Sequence, residues 1–235
     1  MSDRGARSDP TSGGRSSREG ARHRFAASVR AAVDAAMTAQ VPDSAFEEAS
    51  TAIDAVVTEL RSSGPTARNR IELHGAAGLE GPRSHMLGSP QIGAENPLSV
   101  PVTIDVVDRR VVGHVTFTAP YEGPPGFVHG GVIASVFDEL LGVANVEGEA
   151  PGMTAKLTVR YRRPTPLHRP AVFEAWHERR QGRRFVAHAT LHVDGELTCE
   201  AEGLFVGLDA ELAEEYFGEL RRTAANATSS EGTGS

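Results

Sequence analysis

Gly123-Pro124-Pro125-Gly126-Phe127-Val128-His129-Gly130-Gly131-Val132-Ile133-Ala134-Ser135-Val136-Phe137-Asp138-Glu139-Leu140-Leu141-Gly142-Val143-Ala144-Asn145-Val146 changes character halfway along. Its first part is punctuated by glycine and proline, as a loop is. From about Gly130 to Val146 the spacing predicts a helix. Val132, Ile133, Val136, Phe137, Leu140, Val143 and Ala144 cover so broad an arc that it must be enclosed on most sides. Asp138 lies roughly opposite the centre of that arc, beside Ala134, Leu141 and Asn145.

Around this helix the chain is strand-like. Val102–Val107 and Val111–Phe117 flank Asp108-Arg109 and read as a hairpin. Runs at 153–162, 170–180, 184–193 and 197–207 follow the helix, with Gln181-Gly182 and Asp194-Gly195 as turn signals. Two strands, one long helix and four strands make an α+β plan: one largely antiparallel sheet curled around a central helix.

Ahead of this body, residues 1–22 are rich in Ser, Gly and Arg and are expected to be a disordered arm. Residues 23–63 form a helical extension. Phe25, Val29, Val33, Met37 and Val41 recur every four residues until Pro42. Ser44 with Glu47 reads as a capping box for a second helix striped by Phe46, Ala49, Ile53, Val56 and Leu60, which Ser63 and Gly64-Pro65 end. The pair is either a cap on the main domain or an oligomer contact. Residues 64–99 are a long loop or linker, and 100–208 the main domain. Residues 209–235 are a short helix and a polar tail expected to be disordered.

The totals exclude several classes. A net charge of -7 over 235 residues gives no support to nucleic-acid binding. No stretch approaches ~20 apolar residues, and the arginines at the start precede no apolar core, so neither a membrane span nor a secretory signal is expected. With one cysteine, Cys199, no internal disulfide forms, and cytoplasm is the default location. No metal is expected: His188 and His192 are ~13 Å apart on one strand face, and no Cys/His cluster has ligand spacing. Neither a nucleophile elbow nor a phosphate-binding loop is present.

The remaining chemistry centres on the helix. His129-Gly130-Gly131 puts unpartnered, partly positive N–H groups where a carbonyl would be polarised and an oxyanion held. Asp138 is a carboxylate able to activate water or attack a carbonyl, with Glu139 the second choice. Arg160, Arg162 and Arg163, and again Arg179, Arg180, Arg183 and Arg184, are dense enough for forked contacts to phosphates.

Taken together, His129-Gly130-Gly131-Val132-Ile133-Ala134 with Asp138 nine residues after the histidine resembles the hotdog-fold thioesterases of the phenylacetic-acid-degradation type. Met153-Thr154-Ala155, Tyr161-Arg162-Arg163-Pro164, Gly182-Arg183-Arg184-Phe185, Glu200-Ala201-Glu202-Gly203-Leu204-Phe205 and Asn96-Pro97-Leu98 are closer still to the thioesterase-superfamily-member-4 branch. The likeness spans about residues 96–208. It implies a hotdog fold and hydrolysis of acyl-CoA thioesters, with Asp138 the catalytic carboxylate. It also implies Gly130 as the oxyanion donor, His129 beside it, and Thr154 assisting from a partner subunit. Asn96, Gly131, Arg162, Arg163, Pro164, Gly182, Arg183 and Arg184 are the expected coenzyme A contacts. No cofactor beyond the coenzyme A of the substrate is implied. The sites would lie between subunits of a homodimer or homotetramer. Some relatives carry an amide six residues before the histidine, where this chain has Gly123. A non-catalytic acyl-CoA-binding module on the same fold is the alternative.

Overall fold

A computed structural model describes residues 11–64, 87–149, 152–207 and Glu214, with side chains from Gly20 onward. Helices α1 (Thr11–Thr38) and α2 (Asp43–Ser62) precede strands β1 (Thr103–Val107) and β2 (Arg110–Thr116). Helix α3 (Gly130–Glu147) follows, then β3 (Met153–Tyr161), β4 (Pro170–Gln181), β5 (Arg184–Val193) and β6 (Glu196–Val206). The six strands form one antiparallel sheet in the order β1-β2-β4-β5-β6-β3. α3 packs against β2, β3, β4, β5 and β6. This is the α+β plan expected from the strand–helix–strand order, and the hotdog arrangement that the resemblance implies.

The sheet closes on the helix because its residues alternate. Val111 and Val115, Ala171, Phe173 and Ala175, Phe185, Ala187, Ala189, Leu191 and Val193, and Ala201 and Phe205 are buried, while their neighbours face outward. Phe137 on α3 meets Phe173 edge to face, ring centroids 5.2 Å apart. Two glycines permit the close approach. A Cβ at Gly113 would lie 2.9 Å from the Val102 side chain and 3.5 Å from Leu140, and one at Gly203 would lie 3.1 Å from Leu141.

Two-residue turns set the register. Asp108 and Arg109, and Asp194 and Gly195, all have positive φ, the geometry of a tight hairpin. In the β4–β5 hairpin Gln181 pairs with Arg184, so the turn is Gly182-Arg183, one residue beyond the expected Gln181-Gly182, with Gly182 taking the positive φ.

The N-terminal region departs from expectation in two places. α1 begins at Thr11, so from there the expected arm 1–22 is helical; once the amphipathic turns after His23 nucleate a helix, adding flanking residues costs little. Residues 1–10 lie outside the described residues, as do 65–86 of the loop and all but Glu214 of the tail after Gly207. The capping box of α2 does not form: Pro42 is the N-cap, its carbonyl accepts from the Ala45 N–H, and Ser44 lies inside the helix. A proline before the first turn presets φ near the helical value, which moves the start one residue ahead of Ser44. At the other end Ser63 closes α2 through Glu59.

The far end of α3 is pinned by a polar contact. Asn145, almost fully buried, accepts a hydrogen bond from His177 Nδ1 on β4 at 2.9 Å. Burial, reinforced by the Arg109 charge and opposed by Glu178, holds the His177 pKa below its ordinary value of 6.5. The unfolded chain therefore takes up this proton first on acidification. The contribution is complete above the unfolded value and is lost as pH falls below it.

Two outcomes follow. Phe137→Ala should lower unfolding free energy by about 3–5 kcal/mol in a urea titration. His177→Gln should flatten the decline of the urea midpoint on acidification below the ordinary histidine pKa; an unchanged slope would place the acid sensitivity elsewhere.

Candidate active site

The head of α3 is a set of three N–H groups with unequal fates. The Gly131 N–H donates to His129 Nδ1 at 3.0 Å, and the Val132 N–H to the His129 carbonyl at 3.0 Å. His129 is thus the N-cap, and with Nδ1 accepting, a neutral ring carries its proton on Nε2. The Gly130 N–H has no acceptor among the described residues. It is therefore the donor left for an incoming oxygen.

Tyr161 forms the roof over this donor. Its hydroxyl donates to the Gly130 carbonyl at 2.7 Å, and a Cβ at Gly130 would stand 3.3 Å from its ring. Desolvation, with a smaller influence from Cys199, raises the Tyr161 pKa, so the phenol stays protonated as a donor. The sequence reading had Tyr161 only as part of a motif. A tyrosine ending an edge strand carries no periodic signal, and its partner glycine is 31 residues away.

Asp138 sits two turns further along α3. Thr154 Oγ1, on β3 of the same chain, donates to Asp138 Oδ1 at 2.9 Å. Within the single chain, then, threonine and aspartate already meet. In the single chain this pair is open to solvent, Thr154 exposed and Asp138 half-buried, although Leu141 and Asn145, which flank Asp138, are buried. The loop before α3 is braced from behind: the His129 N–H donates to the Tyr121 carbonyl, and Tyr121 Oη to the Ser99 carbonyl.

Asn96 belongs to that bracing. Its side chain accepts from the Leu98 N–H and donates to the Gly88 carbonyl, while its own carbonyl accepts from Arg30 of α1. Nothing brings it to Asp138. The two arginine groups occupy opposite ends of β3. At the Tyr161 end, Arg160 and Arg162 pair with Glu200, and Arg163 with Glu196. Pro164 and Arg163 line a cavity of about 250 Å³ with Phe127, Pro166 and Thr198. At the Thr154 end, Arg184, Val206 and Met153 form one row across β5, β6 and β3, which puts the Gly182-Arg183-Arg184 tip beside the Asp138 half of the sheet. Arg183 Nε donates to the Gly207 carbonyl there. Among the described residues no cluster of His, Cys, Asp and Glu could hold a metal, and no helix is long and apolar enough to cross a membrane.

Comparison with known proteins points to one family. The family model described as Thioesterase superfamily matches residues 125–200, which include His129, Gly130, Asp138 and Thr154. A crystal structure of a thioesterase superfamily protein superposes with a TM-score of 0.69 and 34% identity, covering 79% of this chain and 94% of that one. The acyl-coenzyme A thioesterase THEM4 of Mus musculus is 35% identical over 107 residues, 45% of this chain and 46% of the mouse protein. Its Xenopus laevis counterpart is 40% identical over 92 residues, 38% and 41% of the two chains. The matches thus span less than half the length of these curated relatives.

Tyr161→Phe should keep the fold, cost about 0.5–1.5 kcal/mol in urea, and shift the Gly130 and Gly131 amide resonances in a ¹H–¹⁵N spectrum. Unmoved resonances would mean the hydroxyl does not hold this peptide.

Proposed function

Because the chain belongs to the thioesterase superfamily, we propose that it hydrolyses acyl-CoA thioesters to a free acid and coenzyme A. The observation that carries this reading is the unpaired Gly130 N–H at the head of a helix that also bears the Thr154-bound carboxylate of Asp138. Asp138 either takes a proton from water, whose oxygen attacks the carbonyl carbon, or attacks that carbon itself to form a mixed anhydride. The tetrahedral oxyanion is held by Gly130 N–H, and as it collapses the C–S bond breaks. On the water route the thiolate takes the proton that Asp138 drew from water. On the anhydride route the thiolate leaves first; a water then cleaves the anhydride, releasing the acid, restoring the Asp138 carboxylate and supplying the proton that makes the thiol.

One chain cannot do both jobs on one thioester. Eight residues separate Gly130 from Asp138, about 12 Å at helical rise, whereas the oxyanion donor must come within ~3 Å of the reacting carbonyl. The arrangement of β3 supplies the remedy. It is an edge strand of nine residues, running antiparallel to α3 with Tyr161 over Gly130 and Thr154 beside Asp138. Pairing two such edges antiparallel about a two-fold brings Gly130 of one protomer toward Asp138 of the other, and satisfies the edge as well. The same operation gathers the arginine tip of one chain and Arg162 and Arg163 of its partner around one site. Coenzyme A phosphates fit that positive rim.

The test is thiol release from short, medium, long and aromatic acyl-CoAs. Asp138→Asn should lower turnover at least about 10²-fold. Gly130→Pro, which deletes the N–H yet suits the first helical position, should lower it about 10²–10³-fold. Co-expressed, the two inactive variants should regain activity, since each mixed dimer assembles one intact site. Tight binding without release would leave an acyl-CoA-binding module; neither binding nor release would sink the reading.

A further inference from the structure

Among the described residues α2 carries an apolar stripe that nothing covers. Phe46, Ala49, Ile53, Val56 and Leu60 alternate at spacings of three and four, the a and d positions of a heptad, which is a seam that coiled coils bury. Yet none of its residues is buried: Phe46 is 40%, Ile53 55%, Val56 46% and Leu60 56% exposed. α1 is anchored on one flank, through buried Ala26 and through Arg30, which donates to the Asn96 carbonyl. Beyond this anchor the same face continues with Val33 and Met37, which with Phe25 are between 42% and 59% exposed. Joined by the short link Ala39–Pro42, the two helices of one chain leave each other uncovered.

Charge decides what covers them. From Gly20 onward α1 carries Arg22, Arg24 and Arg30 against Asp34. α2 carries Asp43, Glu47, Glu48, Asp54 and Glu59 against Arg61. Two α2 helices side by side would set acid against acid, whereas α1 against α2 pairs opposite signs along two apolar stripes. We propose that α2 of one protomer docks along the exposed part of this face on α1 of a second copy of this chain, and reciprocally, so that the N-terminal arms are exchanged. The interaction is independent of the thioester chemistry and would tie together protomers whose hotdog domains meet elsewhere.

Differently tagged full-length chains test this by cross-linking. One carries Val33→Cys or Met37→Cys on α1 and the other Ile53→Cys or Leu60→Cys on α2; native Cys199 is buried. After co-expression and mild oxidation, at least one α1–α2 combination should give a covalent heterodimer on a non-reducing gel. Adding Glu47→Arg, Glu48→Arg and Asp54→Arg to the α2 chain should cut that product several-fold, with the thermal melt of the hotdog domain unchanged. Four outcomes would overturn the proposal. Two Ile53→Cys chains could link to each other in preference. A chain bearing both cysteines could close on itself while mixed chains stay separate. The heterodimer could survive charge reversal undiminished, or no combination could link at all.

Discussion

The structure depends on packing one broad face of α3 against the sheet while the opposite sector stays open to a polar contact. Ile133, Val136, Phe137, Leu140, Leu141, Val143 and Ala144 leave water together, and their burial is the main return for ordering six strands. Packing at that face demands close approach, which is why β6 carries Gly203 opposite Leu141, while on β2 Gly113 makes room for Val102. In the remaining sector Thr154 meets Asp138. A carboxylate beside buried Leu141 and Asn145 needs a donor, and the hydroxyl supplies one without neutralising it.

The head of the helix follows from the same packing. Three N–H groups would otherwise lack acceptors, and His129 takes up two of them, one with its ring and one with its carbonyl. The donor that remains is singled out by subtraction. The site's precision therefore comes from a cap, a tyrosine roof and a braced loop, all second-hand supports rather than reacting groups. Arg30 extends that bracing to α1, so the N-terminal region is coupled to the loop that ends at His129.

Two surfaces are left incomplete in the single chain, and they differ in kind. The β3 edge offers unpaired backbone groups, a hydrogen-bonding surface whose partner must be another strand. The α2 stripe offers apolar side chains on an acidic helix, whose partner must be apolar and basic. A second copy of the chain carries the complement of both.

Alternation and punctuation in the sequence were enough for every strand, for α3 and for the α+β plan, because periods of two and of 3.6 are local properties of the chain. Asp138 and Gly130 were legible for a similar reason: a helical wheel places the one opposite the apolar arc, and a helix start exposes the N–H of the other. The capping box at Ser44 was not realised, since a proline two residues ahead of it takes the N-cap position. Only the tertiary structure showed that Thr154 meets Asp138 within one chain, that Tyr161 covers Gly130, that Asn96 braces a loop, and that the arginines of β3 and of the β4–β5 tip lie at opposite ends. Each of these rests on strand order and register, which join residues far apart in the sequence and which no local period encodes.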